Sequence, residues 1–244
     1  MIKAACHIHS DWSYDGKWRL KNLSSEFARR GYRVLLMTEH DRGFNETRRL
    51  QHREACEQAS SSEILVVPGI EYSDAENIVH VLVWGSVPFL GENVPTSELL
   101  KQVRAANGIA VLAHPSRKNA WQKFETSWIS ELIGIEMWNR KTDGWAPSRT
   151  ARALIDRSTL LPFMGLDFHD RRQFFPLATM LDLESPVSEA RVLAELRAGR
   201  CRSFAFGAPV ERILVPHREL GLRGIERCRR FAAMVYRTTR LSRQ

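Results

Sequence analysis

Cysteine is scarce in this chain. Four cysteines stand in 244 residues, at Cys6, Cys56, Cys201 and Cys228, and no two form a C-x-x-C pair. That spacing argues against a disulfide framework and a thiolate zinc site. Long apolar runs are missing too: no stretch approaches the ~20 residues a membrane-spanning helix needs. Met1-Ile2-Lys3-Ala4 leads straight into a strand-like segment. It lacks the basic start and long apolar middle of a signal peptide, so the expectation is a cytoplasmic protein. A glycine-rich phosphate loop after a strand is also absent, which counts against an open, doubly wound nucleotide-binding sheet. Acidic side chains are outnumbered, 28 against 36 lysines and arginines, for a net charge of +8. Such a balance favours anionic partners: phosphorylated metabolites, nucleic acid or an acidic membrane surface.

Histidine at strand ends is what the chain does have. Cys6-His7-Ile8-His9-Ser10 closes the first apolar run. Two histidines at i and i+2 on a strand face the same way, because side chains alternate with period two. His40, Glu71, His80, His114, Asp167 and His169 each lie in or just past a later strand-like run. Six of the eight histidines fall this way, with His52 and His217 outside the pattern. Imidazoles mixed with carboxylates suit zinc, manganese or iron, whereas magnesium and calcium prefer oxygen shells.

Hydrophobic periodicity places helices near residues 20–30, 45–59, 97–107, 148–156 and 188–198. Thr96 or Ser97 is the expected cap of the third and Ser188 that of the last. Short apolar strands fall between them, at 2–6, 34–37, 64–67, 78–84, 109–113, 132–137, 161–166, 177–181 and 201–206. Strands alternating with helices predict an α/β fold, and ligand-type residues recurring at strand C-termini predict a barrel. The tail from Arg218 differs. It carries eight arginines against Glu219 and Glu226, with Ile225, Cys228, Ala232 and Val235 at helical spacing. The expectation is one domain over residues 1–217, followed by a basic helix over 218–244 packed on it with a solvated basic face.

His7-Ile8-His9-Ser10, Thr38-Glu39-His40-Asp41, Gly69-Ile70-Glu71, His80, Ala113-His114-Pro115 and Gly165-Leu166-Asp167-Phe168-His169 occur in that order. Together they resemble the motifs of the PHP (polymerase and histidinol phosphatase) family, over residues 1–206. The resemblance implies a distorted (βα)7 TIM-like barrel with two or three divalent metals, zinc, manganese or iron, and hydrolysis of phosphoesters. It implies that His7, His9, Glu71 and Asp167 surround one metal. Glu71 would bridge to a second, completed by His80 and His114. Asp15, His40 and His169 would hold a third. Ala5 and Glu39 depart from the pattern, since the family usually carries aspartate at both positions.

Glu71, Asp167 and His169 are the expected catalytic residues, acting around a hydroxide made available by metal binding. Arg117, Arg140, Lys141 and Arg171 follow the motifs in the loops and are candidates for substrate phosphate. Trp12, Tyr14, Trp18 and Trp138 lie near motif residues, where packing at the rim competes with stacking on a substrate ring. The expected activity is a metal-dependent phosphoesterase acting on a small phosphorylated metabolite or nucleotide. Trimming of short oligonucleotides, histidinol-phosphate hydrolysis and a non-catalytic binding role are the alternatives.

Overall fold

The computed structural model describes residues 1–241, with side chains through Tyr236. Residues 242–244, Arg243 among them, lie outside the described residues, as do the side chains of Arg237 and Arg240. In chain order the elements are β1 (Ile2–Ile8), α1 (Leu20–Arg29), β2 (Val34–Met37), β3 (Glu39–His40), α2 (Glu46–Ala59), β4 (Leu65–Val67), β5 (Gly69–Ser73) and β6 (His80–Trp84). They continue as α3 (Thr96–Ala105), β7 (Ile109–Leu112), β8 (Gly134–Asn139), α4 (Arg140–Asp143), α5 (Arg149–Ile155), β9 (Leu161–Phe168) and β10 (Leu177–Leu181). The chain ends with α6 (Glu189–Arg197), β11 (Cys201–Ala205), β12 (Ala208–Pro209), α7 (Val210–Ile213) and α8 (Pro216–Leu241).

The local reasons are legible in the residues. Helix α1 buries Leu20, Leu23 and Phe27 on one face, and Gly31, at φ +76°, turns the chain out of it. Asn45 caps α2 by accepting from the Arg48 amide at 2.8 Å, and Ser188 caps α6 through the Arg191 amide. The cap expected for α3 does not form. That helix starts at Thr96, so Pro95, which has no side chain able to cap, holds the N-cap position, and Ser97 Oγ inside the first turn accepts from the Trp128 indole N–H at 2.8 Å instead.

All twelve strands belong to one sheet, which is mixed rather than all-parallel. β1 runs parallel to β2 and β9, whereas β6 is antiparallel to both β5 and β7. The link from Ser73 to His80 is too short for a crossover, which needs a dozen residues or more, so β6 must fold back on β5. The hydrogen-bonded order is β12-β11-β10-β1-β9-β8-β7-β6-β5-β3, with β2 branching from β1 to β4. Among the described residues no ladder closes it.

Alternate side chains of six strands meet in one apolar cluster: Ala4 and Cys6, Val34 and Leu36, Val67, Leu82 and Trp84, Ile109 and Val111, and Phe163. The intervening residues, such as Leu35 and Val83, pack under the helices instead. The polar C-terminal ends of the strands are thereby left together on one side.

Helix α8 docks differently from the expectation. Its contacts are Leu222 against the core and three polar ones: Glu219 with Arg152 at 2.7 Å, Arg223 with Pro147 O at 3.1 Å, and Glu226 accepting from the Trp145 amide at 3.1 Å. Ile225 and Val235 are 50% and 43% exposed and Cys228 is exposed as well, so the predicted apolar spacing is not the docking face. Glu219, Leu222 and Glu226 share the face that meets the domain, which a hydropathy pattern does not register.

Candidate metal centre

Three of the gathered residues sit in backbone conformations that L-residues seldom adopt. His7 has φ +64°, His114 φ +24° and Asp167 φ +50°. Left-handed non-glycine residues cost of order 1–3 kcal/mol each and cluster at functional sites. They also change how the first histidine pair works. The β1 ladder shifts register between Cys6 and Ile8, so His7 and His9 do not converge by simple alternation. The bulge turns His7, and the two rings meet with centroids 5.1 Å apart.

Glu71 is the centre of the arrangement. It is 1% exposed and ringed by five imidazoles. Its Oε1 lies 3.3 Å from His7 Nε2, 2.8 Å from His80 Nδ1 and 3.0 Å from His114 Nε2. Its Oε2 lies 3.4 Å from His9 Nε2 and 3.1 Å from His40 Nδ1. Burial alone would raise the Glu71 pKa; His7 and His80 override it and hold the carboxyl well below its usual range. Asp167, opposed by burial but drawn down by His7 and Lys141, is held at about 2. Asp167 Oδ1 reaches both His7 and His9, at 3.7 and 3.8 Å. Asp15 joins two more rings, with Oδ1 3.3 Å from His40 Nε2 and Oδ2 3.1 Å from His169 Nε2.

The donors form overlapping groups within 4.8 Å: His7 with His9 and Glu71, His7 with His114 and Asp167, Glu71 with His80 and His114, and His9 with His40 and His169. Nε2 of His7, His9 and His40 is buried with no hydrogen-bond partner. An unsatisfied buried nitrogen costs about 1–3 kcal/mol. Those of His7 and His9 converge beside Glu71 and that of His40 faces Asp15 next to His169, and imidazole and carboxylate donors gathered in this way suit transition-metal ions. His80 differs, since both its nitrogens are engaged: Nε2 meets Asn77 Oδ1 at 2.6 Å and Arg117 Nη1 at 3.1 Å.

One buried residue at the centre was not assigned a role from sequence. Glu136 lies in β8 with Oε1 2.8 Å from His7 Nδ1, and Oε2 accepts from the His114 amide at 2.8 Å and Asn139 Nδ2 at 2.9 Å. It ties down the far nitrogen of His7, leaving Nε2 to face inward. The signal was a lone carboxylate inside an apolar strand. Gly165 makes room for it, for a Cβ there would lie 1.7 Å from Glu136 Oε1. Glu136→Gln must turn an amide N–H2 toward a donor. Its metal affinity is expected to fall about 10- to 100-fold, read by competition with a chromogenic chelator; unchanged affinity would remove Glu136 from the centre.

A polar cavity of about 370 Å³ opens above the cluster, lined in part by Tyr14, Asp41, Arg42, Arg117 and Lys141. Lys141 Nζ stands 3.3 Å from Asp167 Oδ1 and from His169 Nε2. The other two basic candidates are not among its lining residues. The Arg140 guanidinium lies over Phe175, 4.6 Å from its centroid, and Arg171 is exposed on a short 3₁₀ turn. Trp138 is fully buried and Trp18 packs edge-on against Phe168 and Phe174. Tyr14, 67% exposed, stacks on His40 at the mouth.

Protons compete for this donor set. Burial lowers the His7 pKa, but Glu136, Glu71 and Asp167 outweigh it and raise it well above the ordinary imidazole value. His40, opposed by burial and raised by Asp15 and Glu71, reaches about 10. The His40 ring therefore carries a proton at neutral pH in the metal-free chain, and a metal must displace it. Zinc affinity is expected to rise between about pH 6 and pH 8 with release of at least one proton per chain. Calorimetry in buffers of different ionisation enthalpy measures that number, and a buffer-independent heat would exclude it.

No family model matches the sequence, and no curated protein matches it. Solved structures do match. A two-domain protein of Bacteroides vulgatus, described as containing a PHP-like metal-dependent phosphoesterase, aligns at TM-score 0.60 and 19% identity over 84% of this chain; the chain spans 64% of that protein's length. PsfC of Pseudomonas syringae aligns at TM-score 0.64 and 12% identity, covering 95% of this chain and 98% of that one. The lesion-specific endonuclease PfuEndoQ of Pyrococcus furiosus aligns at TM-score 0.56 and 11% identity, over 81% of this chain and 56% of that one. With twelve strands in one mixed sheet and the polar strand ends gathered around Glu71, the chain has the fold of the PHP-like metal-dependent phosphoesterases.

Proposed function

We propose that the chain is a PHP-family hydrolase, a metal-dependent phosphoesterase acting on a small phosphorylated metabolite or nucleotide. In this reading the sheet wraps as a distorted seven-stranded barrel. β2 with β3, and β4 with β5, count as single strands interrupted at Thr38 and Pro68. The observation that carries the function is the set of buried imidazole nitrogens without hydrogen bonds, those of His7 and His9 facing Glu71 and that of His40 facing Asp15, beneath a cavity with cations on its wall.

His7, His9, Glu71 and Asp167 would hold one metal, Glu71, His80 and His114 a second, and Asp15, His40 and His169 a third. Bound metals supply an activated water and charge neutralisation at the phosphoryl oxygens. The chain does the rest. Glu71 keeps the rings converged. Asp167 stays ionised at neutral pH, so it serves as a ligand rather than an acid. Asp15 ties His40 to His169 at the entrance. Lys141 and Arg117 present cations on the cavity wall, Arg117 steadied by Asn77 O at 2.9 Å.

Lys141→Ala and Arg117→Ala should each lower kcat/KM about 10- to 100-fold, as removal of a charge-assisted phosphate hydrogen bond of about 1.5–3 kcal/mol implies. Metal content should stay the same. Arg171→Ala, outside the cavity, should change kcat/KM by less than about twofold. The test of the function is hydrolysis by metal-reconstituted protein across phosphomonoesters, nucleotides and short oligonucleotides. Full metal content with no hydrolysis of any of them would sink it.

A second reading, cleavage of short oligonucleotides, is favoured by Tyr14. Its exposed ring lies at the cavity mouth, with Arg42 5.6 Å from its centroid, and offers a face on which a base can stack.

A further inference from the structure

The excess positive charge is not spread over the molecule. Residues 218–244 carry eight arginines and two glutamates, so six of the eight net charges lie in this tail. Where α8 meets the domain there is a crevice of about 360 Å³, lined by Ser116, Asp143, Ser148, Thr150 and four arginines, Arg149, Arg223, Arg227 and Arg230. Its acidic groups are already engaged. Asp143 accepts from Ser116 Oγ at 2.6 Å and the Asn139 amide at 2.8 Å, and burial raises its pKa to about 6. Glu226 is taken up by Arg229 and Arg230. Arg223 is paired with Glu219. The exposed side chains of Arg149 and Arg227 line the crevice and make no hydrogen bond or ion pair among the described residues. Two guanidinium groups are thus free to face an anion.

The crevice adjoins the metal centre. Its wall is α4 and the loop after His114. Lys141 and Thr142 line the cavity above the metal centre, while the next residue, Asp143, lines the crevice. Arg117 and Ser116 divide in the same way. The Arg230 guanidinium reaches across to Thr142 O at 3.4 Å. Cations therefore run from Arg227 and Arg149, past Arg230, to Lys141 and Arg117. Lys141 and Arg117 suffice for one phosphate at the metal centre. The arginines beyond them suit a ligand that carries further phosphates.

We infer that the crevice between α8 and the start of α5 binds the phosphodiester backbone of a single-stranded nucleic acid whose end enters the metal centre. This rests on the oligonucleotide reading of that centre. Arg149 and Arg227 contact phosphates without reading sequence. Phe231 and Leu220, exposed on α8, raise the rival of an anionic membrane surface. The concave crevice leading to the cavity favours the strand.

The test uses the full chain, metal-reconstituted, with Arg149→Glu, Arg227→Glu and the double variant. Binding of a fluorescein-labelled, 5′-phosphorylated oligothymidylate is read by anisotropy, with calcium replacing the transition metal to prevent turnover. Hydrolysis of p-nitrophenyl phosphate is read in parallel. The wild type should bind with an affinity that falls steeply with salt. Each arginine–phosphate pairing removed should reduce the log–log salt slope by about 0.7. The double variant should bind about tenfold or more weakly while hydrolysing the small ester within about twofold of wild type. Equal binding by wild type and double variant overturns the inference and leaves the phosphoesterase reading untouched. No hydrolysis of any ester, together with arginine-dependent binding, upholds the crevice and removes the phosphoesterase. Arginine-dependent binding to phosphatidylserine vesicles, without binding to the oligonucleotide, overturns the inference in favour of a membrane surface.

Discussion

Glu71→Gln should abolish hydrolysis almost completely while leaving the fold intact. Loss of partners that merely orient a ligand costs about 10- to 100-fold. Glu71 touches five imidazoles directly, so its loss should exceed that range, reaching roughly a thousandfold or more. The amide keeps the size of the side chain and removes its charge. Two of the five rings then face a group that donates rather than accepts. Far-UV circular dichroism should be unchanged and metal content reduced. Wild-type turnover at full metal content would take Glu71 out of the proposed mechanism.

Metal removal should have an effect as large. The purified chain is expected to carry two to three transition-metal ions. Chelation should eliminate hydrolysis, and zinc, manganese or iron should restore it. Stability should move in step, because a ligand that binds only the folded chain at a thousand times its Kd adds about 4 kcal/mol. In the metal-free chain the buried Nε2 atoms of His7, His9 and His40 make no hydrogen bond and have only carboxylate oxygens 3.3–3.4 Å away, a deficit a metal would relieve. Elemental analysis and thermal melts before and after chelation measure both effects. A chain that holds no transition metal, even after growth with all three, would refute the metal centre.

Much of the architecture was legible in the order of residues. The apolar runs at Val34–Met37 and Ile109–Leu112 are strands buried on both faces, as four consecutive apolar residues between helices imply. Helices α1, α2, α5 and α6 lie where periodicity and capping residues put them, because both act within a few residues of the chain. The gathering of His7, His9, His40, Glu71, His80, His114, Asp167 and His169 followed from one repeated feature, a ligand-type residue at or near the end of an apolar strand. The single mixed sheet brings such ends together on one side.

What depended on distance through space was not legible. Sheet direction at β6 followed from a link too short to cross over, yet its two antiparallel neighbours lie on separate segments. The convergence of His7 and His9 depends on a bulge, and alternation along one strand cannot show one. Glu136 reads as a stray carboxylate in an apolar strand until His7, His114 and Asn139 are seen around it. Arg140 and Lys141 are adjacent in sequence and indistinguishable by composition. The backbone at the start of α4 directs the first over Phe175 and the second to Asp167. Helix α8 shows the same limit, since it docks through Glu219 with Arg152, Glu226 with the Trp145 amide and Leu222 against the core rather than through its predicted apolar spacing. Local propensity and patterning are properties of neighbouring residues and survive in a linear reading. Which charge meets which, and whether a buried polar atom finds a partner, is decided by groups tens to hundreds of residues apart, because desolvation and pairing energies are set only when the chain has folded around them.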